Sequence, residues 1–338
     1  MDIIVPVVIT GDEFENNNVD LDEGLLQWSA DDDYVVENEV ISLSTNQVYR
    51  ALKPSGSEAG IIQNPDEEWE RIDNPLDIEN TAPIYWDRLY PTNPYRLFDQ
   101  SPTNATTNPD TIDVTLNTGT FVQGLAFFGV SADEIVVTIR DAGEVVYEST
   151  TNMADNTAVK DWWTYYFQPI RETEQLVITD LPPYGDAKIQ IQIKRENGIA
   201  ECGEIVAGSL YNLGRTKTEP RIKMLDYSKI EEDQYGNLTT AVRGATQVVT
   251  YEVWLPGLNT ENVFNQIKAL RGAQKVVWIG DAESRLSLIN YGYVSSLEMR
   301  VAASNPVYTT YIDEDGVEHE VLAEKGNTYA TIETKGIL

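Results

Sequence analysis

The chain is predicted to be all-β, with several sandwich or jelly-roll units and one short helix in its C-terminal part. Apolar and β-branched residues recur with a two-residue period or run together at 111–116, 134–140, 188–195 and 246–255, as strands require. Turn chemistry separates these stretches at Asn117-Thr118-Gly119, Asp141-Ala142-Gly143, Tyr235-Gly236-Asn237 and Asp315-Gly316. The 18 Tyr and 7 Trp add side chains that favour pleated, half-buried surfaces.

From the N-terminus, residues 1–14 begin apolar and read as a strand. No basic leader and no cleavage pattern precede it, so no signal peptide is expected. Residues 12–23 are acidic and Asn-rich, as in an extended linker. Polar, proline-bearing joints at 73–83 and 101–110, with a further joint at 212–220, divide the rest. The expected units are an N-terminal strand and linker over 1–24, a small β module over 25–72, a jelly roll over 80–213 and a β-sandwich domain over 214–338. A chain of 338 residues exceeds what one compact core usually holds, which fits this division. Only 260–272 is expected to be helical: Thr260 stands at the cap, Val263, Ile267 and Leu270 share a face, and Gly272 stops the helix. No stretch repeats at a fixed period, which argues against a solenoid or propeller.

Composition narrows the function. Fifty-five acidic against 24 basic residues give a formal charge of −31, which repels phosphate backbones and anionic lipid and suits solubility and calcium binding. Nucleic-acid binding is not expected, and no apolar run approaches the roughly 20 residues that cross a bilayer. Cys202 is the only cysteine and His319 the only histidine, so neither a disulfide nor a Cys/His zinc site nor a nucleophile–histidine triad can be assembled within the chain. With so many acids, carboxylate pairs such as Glu201 and Glu204 arise by chance, and they read as a solvated rim. A non-enzymatic role is expected.

Trp28, Tyr34, Val40, Tyr49, Ala51, Pro65 and Trp69 stand in an order that resembles small chitin-binding-type modules, although Glu37-Asn38 occupy the place where that pattern usually has Gly-Asp. A tiny sheet has little core, so Trp28, Tyr49 and Trp69 are expected to close it and Tyr34 to stay exposed as a sugar-stacking candidate.

The runs Tyr85-Trp86-Asp87, 91–99, 121–130, 143–147, 161–167, 181–184 and 202–208 follow one another in a way that resembles galactose-binding-like jelly rolls of phage tail proteins. That resemblance implies loops that meet ligands and a calcium ion that braces a neighbouring loop. Asp87, Asn93 and Asp99 are the metal candidates, with Asn104 nearby. The plainer alternative is that Arg96 and Asp99 pair to pin the loop. Trp162, Trp163, Tyr165 and Tyr166 form the densest aromatic cluster. Read as a strand, the cluster sends alternate members inward and outward. Trp162, Trp163 and Tyr165 are glycan-stacking candidates, or anchors for a partner protein. Cys202 is expected to be a buried, inert thiol.

The order of strand 246–255, helix 260–272, strand 275–280 and strand 288–293 resembles the C-terminal part of the same tail proteins and distal-tail domains, whose sandwiches build rings. A hairpin over 308–326, with Tyr308, Tyr311 and His319, is the candidate arm for assembly. These resemblances imply a tail-tip or baseplate component of a tailed bacteriophage, made in the host cytoplasm and carried in the virion. Its expected partners are other tail proteins, further copies in a ring and host surface polysaccharide. A purely structural adaptor and a glycan-binding accessory of a glycoside-degrading enzyme are the alternatives.

Overall fold

The computed structural model describes residues 1–9, 11, 13–22, 24–73, 84–155, 161–167, 171–185, 187–217, 219–232, 238–255, 260–270, 275–280, 286–301, 307–312, 318–324 and 328–337. Strands make up 56% of the chain and helices 11%, so the protein is all-β.

The central sandwich follows from the alternation. In the strand Lys188–Cys202, Ile189, Ile191 and Ile193 are buried while Gln190 and Gln192 lie on the other face. This strand is the middle of a five-stranded antiparallel sheet, flanked by Glu134–Asp141 and Thr106–Leu116, with Glu144–Asn152 and Phe14–Asn17 at the edges. Its inner face meets Leu125 and Phe127 of the strand Gly124–Phe128 and Ile205 and Ala207 of the strand Glu204–Asn212. Cys202 is fully buried in this core, and burial pushes its thiol far above the usual range.

The opposing layer belongs to a ten-stranded sheet that continues into the C-terminal part of the chain. The connection is the N-terminal strand Asp2–Pro6, which pairs with Glu204–Asn212 on one side and Val276–Ile279 on the other. Ile3 enters a core with Tyr251 and Trp278, while Ile4 enters a second core with Phe128 and Tyr291. A strand buried on both faces needs apolar residues at consecutive positions, and Ile3-Ile4 supplies them. At this seam a Cβ on Gly208 would stand 2.0 Å from the Val5 carbonyl oxygen, so only glycine fits. Thus one sheet spans the expected joint at 213/214. The acidic linker is likewise structural: Phe14 packs in the sandwich core and Asp22 forms an ion pair with Arg96.

The small module is a four-stranded sheet of Leu26–Gln27, Glu39–Ser42, Gln47–Ala51 and Trp86–Pro91, with helix α1 (Pro65–Asp73) beside it. Its last strand comes from residues the sequence reading gave to the jelly roll, and Trp86 is its fully buried centre. The expectation that Tyr34 is exposed is corrected here. Tyr34 is buried among Val40, Tyr49, Ala51 and Trp86, meeting Trp86 edge-on at 5.4 Å. Its hydroxyl accepts from the Ser29 amide (2.7 Å) and donates to the Ser29 carbonyl (3.2 Å). With few aliphatic residues to bury, this sheet spends its aromatic residues on its core.

In the C-terminal part, α3 (Thr260–Ala269) lays Val263 and Ile267 on the core around Tyr251 and Trp278. The Thr260 hydroxyl donates to Thr328 Oγ1 at 3.0 Å, so it ties the helix start to the last strand. The strands Val307–Ile312 and Glu318–Glu324 pair as a hairpin, with Tyr308 opposite Leu322 and Tyr311 opposite His319. The side chains of Tyr308, Tyr311 and His319 lie outside the described residues.

Candidate functional site

The aromatic cluster is a helix, α2 (Trp162–Phe167), and not a strand. Strand alternation would have sent Trp162 and Trp163 to opposite faces. Helical spacing instead matches residues four apart. Trp162 and Tyr166 stack with ring centroids 6.3 Å apart and planes inclined by 23°, while Trp163 and Phe167 lie 4.2 Å apart at 35°. Trp162 is 77% exposed, Trp163 and Tyr166 69% each, and Phe167 67%. Two stacked pairs on one turn therefore offer apolar surface on the order of several hundred Å² to solvent, a size that marks interaction sites. The side chain of Tyr165, the other sugar-stacking candidate of this cluster, lies outside the described residues.

The base of this platform is firmly held. Ala154–Asp155 pairs with Arg171–Glu172. Met153 is buried in the sandwich core, its amide donating to the Asp133 carbonyl (2.9 Å) and its carbonyl accepting from Thr173 N (2.7 Å). Arg195 grips Glu172 with two nitrogens, at 2.9 and 3.1 Å. Such a two-toothed guanidinium–carboxylate contact fixes orientation as well as distance. The paired strands form a neck tied to the sandwich at Met153, Glu172 and Thr173, and α2 lies between them in the chain. Tyr166 and Phe167 join the site without having been singled out in the sequence as sugar-stacking residues. The signal for them was the i, i+4 spacing within Trp162-Trp163-Thr164-Tyr165-Tyr166-Phe167.

Two of the three calcium candidates, Asn93 and Asp99, are engaged in hydrogen bonds of their own loop. Asn93 Nδ2 donates to the carbonyls of Asp20 (3.0 Å) and Thr107 (2.9 Å), and its Oδ1 accepts from Thr107 N (3.0 Å). Asp99 accepts from Ser101 N (2.7 Å) and Asn104 Nδ2 (2.8 Å), and burial raises its pKa above the usual carboxylate value. Asp87 stands on the strand Trp86–Pro91 opposite Arg50. Among the described residues no group of three or more His, Cys, Asp or Glu is placed to hold a metal ion. Arg96 pairs with Asp22 rather than with Asp99, and its guanidinium also lies over the Tyr90 ring, 5.0 Å from the centroid. Asn93, Asp99 and Asn104 thus serve the backbone and side-chain hydrogen bonds of this loop.

Glu204 departs from the expected solvated rim. It is 3% exposed, and its Oε1 accepts from the Tyr291 hydroxyl at 3.4 Å. Burial, aided by nearby Asp99, pushes its pKa up to about 9. Tyr291 stacks on Phe128 at 5.2 Å, and both line a cleft of about 590 Å³ between the sandwich and the C-terminal part. Glu204 thus reaches the cleft wall through Tyr291, with burial favouring its protonated form.

No protein-family profile, curated protein or solved structure matches this chain.

Proposed function

We propose that the protein is a non-enzymatic structural component of a bacteriophage tail tip or baseplate, and that α2 attaches it to host surface glycans. It assembles with other tail proteins and with further copies of itself in a ring. The observation that carries the attachment reading is the set of four exposed aromatic rings in the segment between the anchored neck strands. A pyranose ring has an apolar C–H face and a rim of hydroxyls, and an aromatic face in water matches the first while leaving the second solvated. Single contacts of this kind are weak, on the order of millimolar, and copies around a ring raise the overall strength by avidity. Reversible, multivalent attachment is the mechanism that follows. The charge of −31 supports a partner that is neither nucleic acid nor anionic lipid.

The test is a glycan array and a host-cell binding assay on the purified chain displayed multivalently, with and without calcium. Binding that disappears in Trp162→Ala or Trp163→Ala supports the attachment role. Absence of binding to every glycan and cell by the folded chain overturns it and leaves a purely structural adaptor.

A further inference from the structure

The cleft of about 590 Å³ between the sandwich and the C-terminal part has the volume of a small-molecule site. Two glutamines from well-separated strands of the ten-stranded sheet clasp the turn Leu286–Leu288 in its wall. Gln175 donates from Nε2 to the Leu286 carbonyl (2.8 Å), and Gln247 from Nε2 to the Ser287 carbonyl (2.6 Å). A third lining amide, Asn290, donates from Nδ2 to Thr334 Oγ1 (2.8 Å), and the lining hydroxyl of Tyr291 donates to Glu204. The walls are thus fixed by their own hydrogen bonds before any ligand arrives.

The same bonds decide what the cleft can hold. Each of the three amides points its nitrogen at a protein oxygen, and the Tyr291 hydroxyl hydrogen is committed to Glu204. What these groups have left to offer is oxygen. Glu172 and Glu174 add carboxylates, while no Lys, Arg or His stands among the described lining residues. Glu172 is held by Arg195, but Glu174 makes no ion pair among the described residues. An anion would meet lone pairs on these walls. A sugar hydroxyl brings an acceptor with every donor, whereas ammonium and guanidinium groups bring donors alone.

We propose that this cleft binds an organic cation, an ammonium or guanidinium group held by the amide oxygens of Gln175 and Gln247 and the carboxylate of Glu174. Such a group comes from a free polyamine or from a basic side chain of a partner protein. The site does not depend on glycan binding by α2.

Glu204 gives the site a signature. It stands behind Tyr291, and the other titratable groups near it are the Asp99 carboxyl, the Cys202 thiol and the Lys275 ammonium, which donates to the Gln100 carbonyl (2.8 Å). Burial favours the protonated form of Glu204, and a cation in the cleft stabilises the charged form. Binding is therefore expected to release a proton, and affinity to rise with pH up to about 9.

The experiment is titration calorimetry on the full chain with N-acetylarginine amide, spermidine and galactose, in about 0.15 M NaCl to screen the acidic surface. One of the two cations is expected to saturate a single site: the arginine probe if the source is a protein side chain, spermidine if it is a free polyamine. Glu174→Gln is expected to weaken that binding about tenfold or more, as loss of a charge-assisted contact does, with thermal unfolding unchanged because the residue is exposed. Trp162→Ala should leave it unchanged, which separates this site from the glycan platform. Glu204→Gln should keep the binding and abolish the proton release, read from heats in buffers of different ionisation enthalpy. Saturation by neither cation, or binding indifferent to Glu174→Gln, would overturn the proposal. Galactose binding that Glu174→Gln removes would assign the cleft to neutral sugars instead. Proton release that persists in Glu204→Gln would overturn the part given to Glu204.

Discussion

The small N-terminal module and α2 are both dense in aromatic residues, and they use them in opposite ways. In the module, Tyr34, Tyr49 and Trp86 are buried and Trp28 and Trp69 pack against them. In α2, Trp162, Trp163, Tyr166 and Phe167 stand in solvent. The difference lies in what surrounds them. Among the described residues, the cluster around Trp86 has Val40 and Ala51 beside its aromatics, so the aromatics supply most of its buried area. The neck of α2 rises from a sandwich already filled by Leu, Ile and Val, which needs nothing from the excursion. Aromatic density alone therefore does not identify a binding surface. The supply of aliphatic residues nearby decides.

The largest effect that could break this contrast is on stability. Trp86→Ala, at the fully buried centre of the module, is expected to cost about 3–5 kcal/mol. Trp163→Ala is expected to stay within about 0.5 kcal/mol of wild type. Denaturant unfolding of the two variants compares them, and equal costs would remove the distinction between core and platform.

The buried acid at the seam sharpens the same contrast in another chemistry. Glu204 has a folded-state pKa raised from 4.5 to about 9, so the folded protein holds its proton where the unfolded chain has released it. Its contribution is fully present below about pH 4.5 and is lost progressively as pH rises to about 9. Glu204→Gln, which keeps a neutral acceptor for the Tyr291 hydroxyl, should therefore gain stability relative to wild type between pH 5 and 9, on the order of a few kcal/mol. Thermal unfolding at several pH values reads this, and parallel pH profiles for wild type and Glu204→Gln would contradict the burial argument.

A smaller effect is expected from a single hydroxyl. Tyr34→Phe removes a group bonded to both the amide and the carbonyl of Ser29, and should cost about 1 kcal/mol. Phe167→Ala should cost no more than about 0.5 kcal/mol, because that side chain is exposed. A comparable loss in both would mean that α2 packs as a core element.

Much of the fold was legible because strands announce themselves by alternation. Ile189, Ile191 and Ile193 read as one buried face and are one. Helix α3 was legible from Val263, Ile267 and Leu270. Helix α1 was not, because six of its nine residues are charged and only Trp69 and Ile72 are large and apolar. Helix α2 was read as a strand because Trp, Tyr and Phe favour strands, and propensity outweighed the i, i+4 spacing. The place of Asp2–Pro6 was hidden for another reason. A consecutive Ile3-Ile4 tells that both faces are covered, but not that the strand's neighbours in the sheet lie some 210 and 275 residues further on. The ion pair of Arg96 was misassigned likewise: Asp99 is three residues away, whereas its partner Asp22 is 74 residues away. The site was legible in part. Trp162 and Trp163 were singled out and are exposed. The candidates Tyr34, Asp87, Asn93 and Asp99 instead serve the core, the sheet and the loop, since a side chain's neighbours are set by tertiary contacts.

The most direct test of α2 as an attachment platform is host-cell binding of the multivalently displayed chain, wild type against Trp162→Ala/Trp163→Ala, with Phe121→Ala as a control at another exposed aromatic. Binding by wild type and by Phe121→Ala, lost only in the double variant, is the expected result. Binding that survives the double substitution, or that Phe121→Ala abolishes equally, would contradict it.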